Sequence, residues 1–220
     1  MSLTRRHLTA ALSTTALVAV AGLSPLGLIG SAVAQDVNPA DLAKPVPLGD
    51  IVLGSENAPV TMIEYASLGC GHCAAFHADT YPKIKADYID TGKVRFIFRE
   101  YPLNLQAAAA SMLARCAGNG DPNKYHEMAG LLFRTQDEWA TRDTAEHLRR
   151  IAKQGGMDED AFTACIGSQD MVDALQLGMA HANGKLKVDS TPTFFINGTR
   201  IKGAYPLEEF RKVIEANLKS

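Results

Sequence analysis

The chain has 220 residues, 46% hydrophobic and 21% charged, with 22 basic against 24 acidic side chains and a formal charge of −2. That size supports one domain with a buried core, or one domain carrying an insertion, and the composition excludes a disordered chain and a multi-span membrane protein. A balanced, slightly acidic charge also argues against binding nucleic acid by phosphate neutralisation, so no nucleic-acid partner is expected.

Residues 1–34 read as a signal peptide, the other reading being an uncleaved membrane anchor. Thr4-Arg5-Arg6-His7-Leu8 precedes a weakly apolar run rich in Ala, Leu, Thr and Gly, which closes on the small-x-small pattern Ala32-Val33-Ala34. Arg5-Arg6 with a leucine two places on is similar to the twin-arginine export type, with the ordinary secretory route as the other reading. Removing the segment takes away two basic charges and no acidic ones. An exported, periplasmic chain meets an oxidising compartment in which disulfides persist.

Residues 35–45, with Pro39 and Pro45, read as an extended lead-in, and a short strand is expected near Gly49 to Leu53. The turn Gly54-Ser55-Glu56-Asn57 leads into the β-rich run Val60 to Ala66, suited to a central strand. After Cys70-Gly71-His72-Cys73, the spacing of Phe76, Ile84 and Tyr88 predicts one helix face, kinked at Pro82. Val94 to Arg99 alternates with period two, a third strand ending before Pro102. Leu105, Ala108, Ala109, Met112, Leu113 and Cys116 then make a helical stripe, repeated by Tyr125, Met128, Ala129, Leu132 and Phe133. Further helices are expected near 143–154, 158–167 and 169–183. Strand character returns at Thr193 to Ile196, Asn197-Gly198 is a hairpin turn, and a last helix begins at Pro206. Strands at both ends with helices between predict one α/β sheet built from both termini around a helical insertion.

Cys70 and Cys73 sit where a strand meets a helix N-terminus. Unpaired backbone N–H groups and the helix dipole favour a thiolate on the first cysteine, and the second lies within disulfide reach one turn further in. A zinc site would want two more ligands, and His77 is the only nearby candidate; haem attachment would want His after Cys73, where Ala74 stands. Redox exchange and an inert disulfide are the readings that remain. Cys116 and Cys165 lie on apolar helical stripes and read as a structural disulfide between two helices of the insertion, the other reading being two buried free thiols. His126, His147 and His181 have no partner spacing and read as ordinary surface or core residues.

Glu64 to Cys73, the helical block, and Thr191-Pro192-Thr193-Phe194-Phe195-Ile196-Asn197-Gly198 together resemble the DsbA-like thiol–disulfide oxidoreductases, over about Val46 to Leu218. The resemblance implies a thioredoxin-like α/β fold in two parts, 46–103 and 186–220, with an inserted helical domain at 104–185. It implies a catalytic Cys70–Cys73 disulfide, with His72 tuning the Cys70 thiol. Glu64, six residues before Cys70 in an apolar strand, matches the buried acid that exchanges a proton with the second cysteine. Thr191 and Pro192 match the substrate-binding turn, with a cis bond between them. The implied activity donates disulfides to reduced, exported polypeptides; an isomerase or reductase role at the same site and a non-enzymatic chaperone-like module are the alternatives. No cofactor or metal is implied, and a membrane thiol oxidase is the implied recycling partner. Gly71 in place of proline, and Thr191, point to a milder oxidant than the strongest relatives. With some dozen residues before the first strand, a monomer is expected.

Overall fold

The computed structural model describes residues 37–219, so the expected signal peptide lies outside the described residues. Strands β1 (Ile51–Leu53), β2 (Val60–Ala66), β3 (Val94–Glu100), β4 (Thr193–Ile196) and β5 (Thr199–Lys202) form one sheet in the order β1-β3-β2-β4-β5. β2 and β3 run parallel and every other pairing is antiparallel. β2 is central and buried on both faces, in keeping with a run that is apolar apart from Thr61 and Glu64. Asn197 and Gly198 both have positive φ (44° and 87°), the geometry of the two-residue turn joining β4 to β5. Gly54 has φ 89° and an added Cβ would lie 2.4 Å from the Val94 carbonyl, so no side chain fits between β1 and β2.

The period of two along β2 divides the core. Met62 and Ala66 face one side with Phe96, Phe98, Phe194 and Ile196; Ile63 and Tyr65 face the other with Ile97 and Phe195. The first face is covered by the helix that follows Cys70, by α10 (Leu207–Leu218) through Phe210 and Ile214, and by most of the helical block. That block comprises α4 (Leu105–Gly118), α5 (Pro122–Arg134), α6 (Gln136–Trp139), α7 (Thr144–Gln154), α8 (Glu159–Ile166) and α9 (Gln169–Gly184). The second face is covered by Leu42, from α1 (Pro39–Ala43), and by Ala182, Leu186 and Val188 at and beyond the end of α9.

The lead-in differs from its expected extended form. Asn38 caps α1 by accepting from the Ala40 N–H, and Pro39 takes the first helical position, where its missing donor costs nothing. Two arginines, Arg99 buried and Arg115 partly buried, hold this segment to the sheet. Arg99 is 1% exposed, pairs with both oxygens of Asp50 at 2.9 Å, and donates to the Leu42 carbonyl and the Tyr65 hydroxyl. Arg115 pairs with both oxygens of Glu100 and donates to the carbonyls of Leu48 and Gly49.

Two other expectations shift. Leu105 is 85% exposed rather than part of a buried stripe, because α4 buries Ala107, Ala110, Ser111, Leu113 and Ala114 and the first turn projects beyond the core. Pro206 is the N-cap of α10, not its first residue. Cys116 on α4 and Cys165 on α8 are joined, with sulfurs 2.07 Å apart.

Asp50→Ala strands the Arg99 guanidinium in the core and is expected to lower the unfolding free energy by about 3 kcal/mol, read by urea titration. The Cys116–Cys165 bond closes a loop of sequence separation 49. Its removal in Cys116→Ala/Cys165→Ala should cost up to about 4 kcal/mol, and peptide mapping of unreduced protein should recover the linked pair.

Candidate active site

β2 ends at Ala66 and the loop Ser67-Leu68-Gly69 delivers Cys70 to the N-cap of α2 (Gly71–Ala75). The loop is tightly held. Ser67 Oγ accepts from the Gly69 N–H and the Leu103 N–H, and the Gln136 side-chain amide donates to the carbonyls of Leu68 and Cys70. α2 runs into a π-helical turn (Phe76–Thr80), α3 (Tyr81–Ile84) and a second π turn (Lys85–Ile89). Pro82 cannot donate to a carbonyl one turn back, and the ladder is taken up by longer bonds such as Tyr81 N–H to the Phe76 carbonyl. The expected kink is thus a pair of π turns around a short α segment.

Cys70 and Cys73 are not joined to each other in this structure, and their surroundings differ. Cys70 is 9% exposed and Cys73 fully buried. The Cys70 pKa is lowered to about 5, chiefly because the Cys73 thiol donates to its sulfur; burial opposes this, and Thr191 and the backbone N–H groups of Cys73 and His72 add to it. Burial pushes the Cys73 thiol far up, and the bond to Cys70 and the charge of Glu64 push it further. One thiol is a ready thiolate and a good leaving group; the other holds its proton.

His72 is exposed, and its backbone N–H bonds the Cys70 sulfur and helps lower the thiol pKa. Thr191 and Pro192 meet the cysteines from the far end of the chain. The Cys70 Sγ lies 3.4 Å from the Thr191 carbonyl, the Thr191 hydroxyl is buried with no hydrogen-bond partner among the described residues, and the Thr191–Pro192 bond is cis.

Glu64 has no exposed surface and stands between Phe98 on β3 and Phe194 on β4. Its Oε2 lies 3.0 Å from the His77 Nε2, and its Oε1 has no partner among the described residues. Only the structure reveals His77 as the Glu64 partner rather than a metal ligand, although Cys73 and His77 are spaced i, i+4 and share a helix face. Gln136, 66 residues from Cys70, had no local signal at all. Among the described residues no group of three or more His, Cys, Asp and Glu side chains is placed to hold a metal ion.

A thioredoxin family model matches residues 48–216. The chain belongs to the thioredoxin family, in its DsbA-like branch. The crystal structure of Wolbachia pipientis alpha-DsbA1 superposes with a TM-score of 0.76 at 34% identity, covering 83% of this chain and 96% of that one. Disulfide bond formation protein D of Bacillus subtilis is 30% identical over 191 residues, 83% of each chain. A Rickettsia felis protein assigned to the protein-disulfide oxidoreductases is 30% identical over 184 residues, 83% of this chain. The chain spans just under two thirds of that relative's length, 65%. The thioredoxin-like fold is therefore a mixed sheet with helices on both faces, and the DsbA-like helices lie between β3 and β4.

In the reduced DsbA-like protein, iodoacetamide labelling of Cys70 should rise with pH through about 5 and be flat by neutrality, following the thiolate fraction. Cys73 should stay unlabelled over the same range. Preferential labelling of Cys73 would reverse the assignment of the attacked and buried thiols.

Proposed function

We propose that this protein is a periplasmic thiol–disulfide oxidoreductase that introduces disulfides into reduced, exported polypeptides. The observation that carries the reading is the asymmetry of the cysteine pair, a Cys70 thiol lowered to about 5 beside a buried Cys73 that keeps its proton. A substrate thiolate attacks Cys70, the Cys70–Cys73 bond breaks, and Cys73 leaves with the electron pair and gains a proton from Glu64. A second substrate thiolate then attacks the substrate sulfur of the mixed disulfide and expels Cys70 as a thiolate. Two electrons pass from the substrate dithiol to the enzyme. Thr191 and Pro192 offer backbone to an extended substrate, and the backbone N–H of His72 steadies the departing Cys70.

Exposed apolar side chains flank this opening. Leu103 (54% exposed) and Leu105 follow the chain from the bond between Leu103 and Ser67 on one side. Tyr205 (48% exposed) lies two residues past Gly203, whose N–H bonds the Pro192 carbonyl, on the other. Such surfaces suit unfolded chains, whose apolar residues are uncovered. Reoxidation is assigned to a membrane thiol oxidase, and export to the segment at 1–34.

A depressed Cys70 pKa stabilises the reduced, folded form. The effect is complete above the ordinary thiol pKa of about 8.5, partial at neutrality, and lost as pH falls through about 5. That value lies between the thiols of DsbA, about 3.5, and thioredoxin, about 7. The couple is accordingly expected near −180 mV, between about −120 mV for DsbA and about −270 mV for thioredoxin. Equilibration with glutathione measures it. Alkylation trapping should find the cellular pool oxidised, and Cys70→Ala should abolish oxidative refolding of a reduced substrate. A pool held reduced, with repair of scrambled substrate outpacing oxidation, would place the protein among the isomerases.

A further inference from the structure

Cys73 is fully buried, yet dithiol exchange requires its sulfur to gain a proton and lose it again in every cycle. Glu64 is buried as completely and cannot exchange with water itself. His77 connects it to the outside. Its Nε2 is 3.0 Å from Glu64 Oε2, its side chain is 7% exposed, and it forms part of the wall of a groove of about 910 Å³. The groove runs between the helix after Cys70 and α5, lined also by Ala74, Ala78, Tyr81, His126 and Phe133. We propose that His77 is a positioning residue that holds Glu64 and relays its proton, so that the groove is the proton entrance to Cys73.

This rests on the dithiol-exchange reading above. When the Cys70–Cys73 bond breaks, Cys73 takes the electron pair and the proton of Glu64. The Glu64 carboxylate is then reprotonated through the His77 ring, whose Nε2 gives a proton to Oε2 while its other ring nitrogen takes one from water in the groove. Reoxidation runs the same transfers in reverse.

The neighbours leave His77 as the one group suited to the task. On α5, His126 is pushed down to about 3 by burial and by the charges of His77 and Lys85, so it stays neutral. On α3, burial raises the Tyr81 phenol, which keeps its proton. Lys85 is tied to Asp90 at 2.6 Å, and the Arg134 guanidinium at the groove does not release a proton at any working pH. On the sheet side Phe98 offers no ionisable group. Phe133 stacks on the His77 ring at 4.4 Å and Tyr81 packs at 4.7 Å, fixing the ring in the orientation that meets Glu64.

The test is single-turnover oxidation of a reduced dithiol peptide by the oxidised protein, from pH 5 to 9, in H₂O and D₂O. His77→Gln keeps a hydrogen bond to Glu64 without a transferable proton. It should slow the step on the order of 10²-fold, with a changed pH profile and a larger solvent isotope effect. His77→Ala should be slow and be accelerated by added imidazole, which fits the vacated wall of the groove. A His77→Gln protein matching wild type at every pH would overturn the proposal. So would uniform slowing of both variants at all pH values with no imidazole response, since that is the mark of a purely structural role. If His77→Ala does not fold, the His77→Gln profile and isotope effect decide. A wild-type protein unable to oxidise the peptide would instead overturn the dithiol-exchange reading, and this inference with it.

Discussion

Glu64 stands in the middle of a central strand, with Phe98 and Phe194 opposite it in the neighbouring strands and none of its surface exposed. Burying a carboxyl in such a place costs several kcal/mol unless partners compensate. The partner is His77, carried by the helix that begins at Cys70. The cost therefore ties strand to helix at one point, and the charge of Glu64 bears directly on Cys73. The chemistry at Cys70 depends on this. Cys70 is a stable thiolate largely because Cys73 stays protonated and donates to it, and Cys73 stays protonated because it is buried, bonded to Cys70 and close to Glu64.

Much of the remaining structure serves to hold that arrangement still. The loop before Cys70 is pinned by Ser67 from within and by Gln136 from the helical block. Gly69 lies so close to α4 that an added Cβ would come within 3.2 Å of the Ala107 Cβ, which brings the helical block against the loop. Thr191 reaches the same sulfur from β4's side of the sheet. On the opposite face Arg99 of β3 fastens the lead-in through Asp50, and Arg115 of α4 joins Glu100 of β3 to the carbonyls of Leu48 and Gly49. A thiol pKa set by short hydrogen bonds needs donors fixed to within a fraction of an ångström, and these contacts from three parts of the chain provide that rigidity.

The regular elements were legible because their signals are local. Alternation marked β3, the Asn197-Gly198 pair marked the hairpin, and apolar spacing marked α4 and α5. Failures came where a local pattern had two outcomes. Asn38-Pro39 is both a breaker and a helix start, and the start prevailed because Leu42 finds an apolar face to cover. Leu105 belongs to the helical period of α4 yet lies beyond the edge of what α4 packs against.

By itself the sequence determined the chemistry available at the site, because two thiols at a strand–helix junction and an acid six residues upstream are local facts of spacing. The tertiary structure decided which groups tune that chemistry. The His72 ring faces solvent although it sits between the cysteines, while His77, Thr191 and Gln136, distant in sequence by as much as 121 residues from Cys70, converge on the buried centre. Helix phase set the first of these outcomes and sheet pairing with helix docking the others. The contacts made by His77, Thr191 and Gln136 are not encoded in a short window of the chain, because burial and hydrogen bonding depend on what the rest of the molecule brings to the same place.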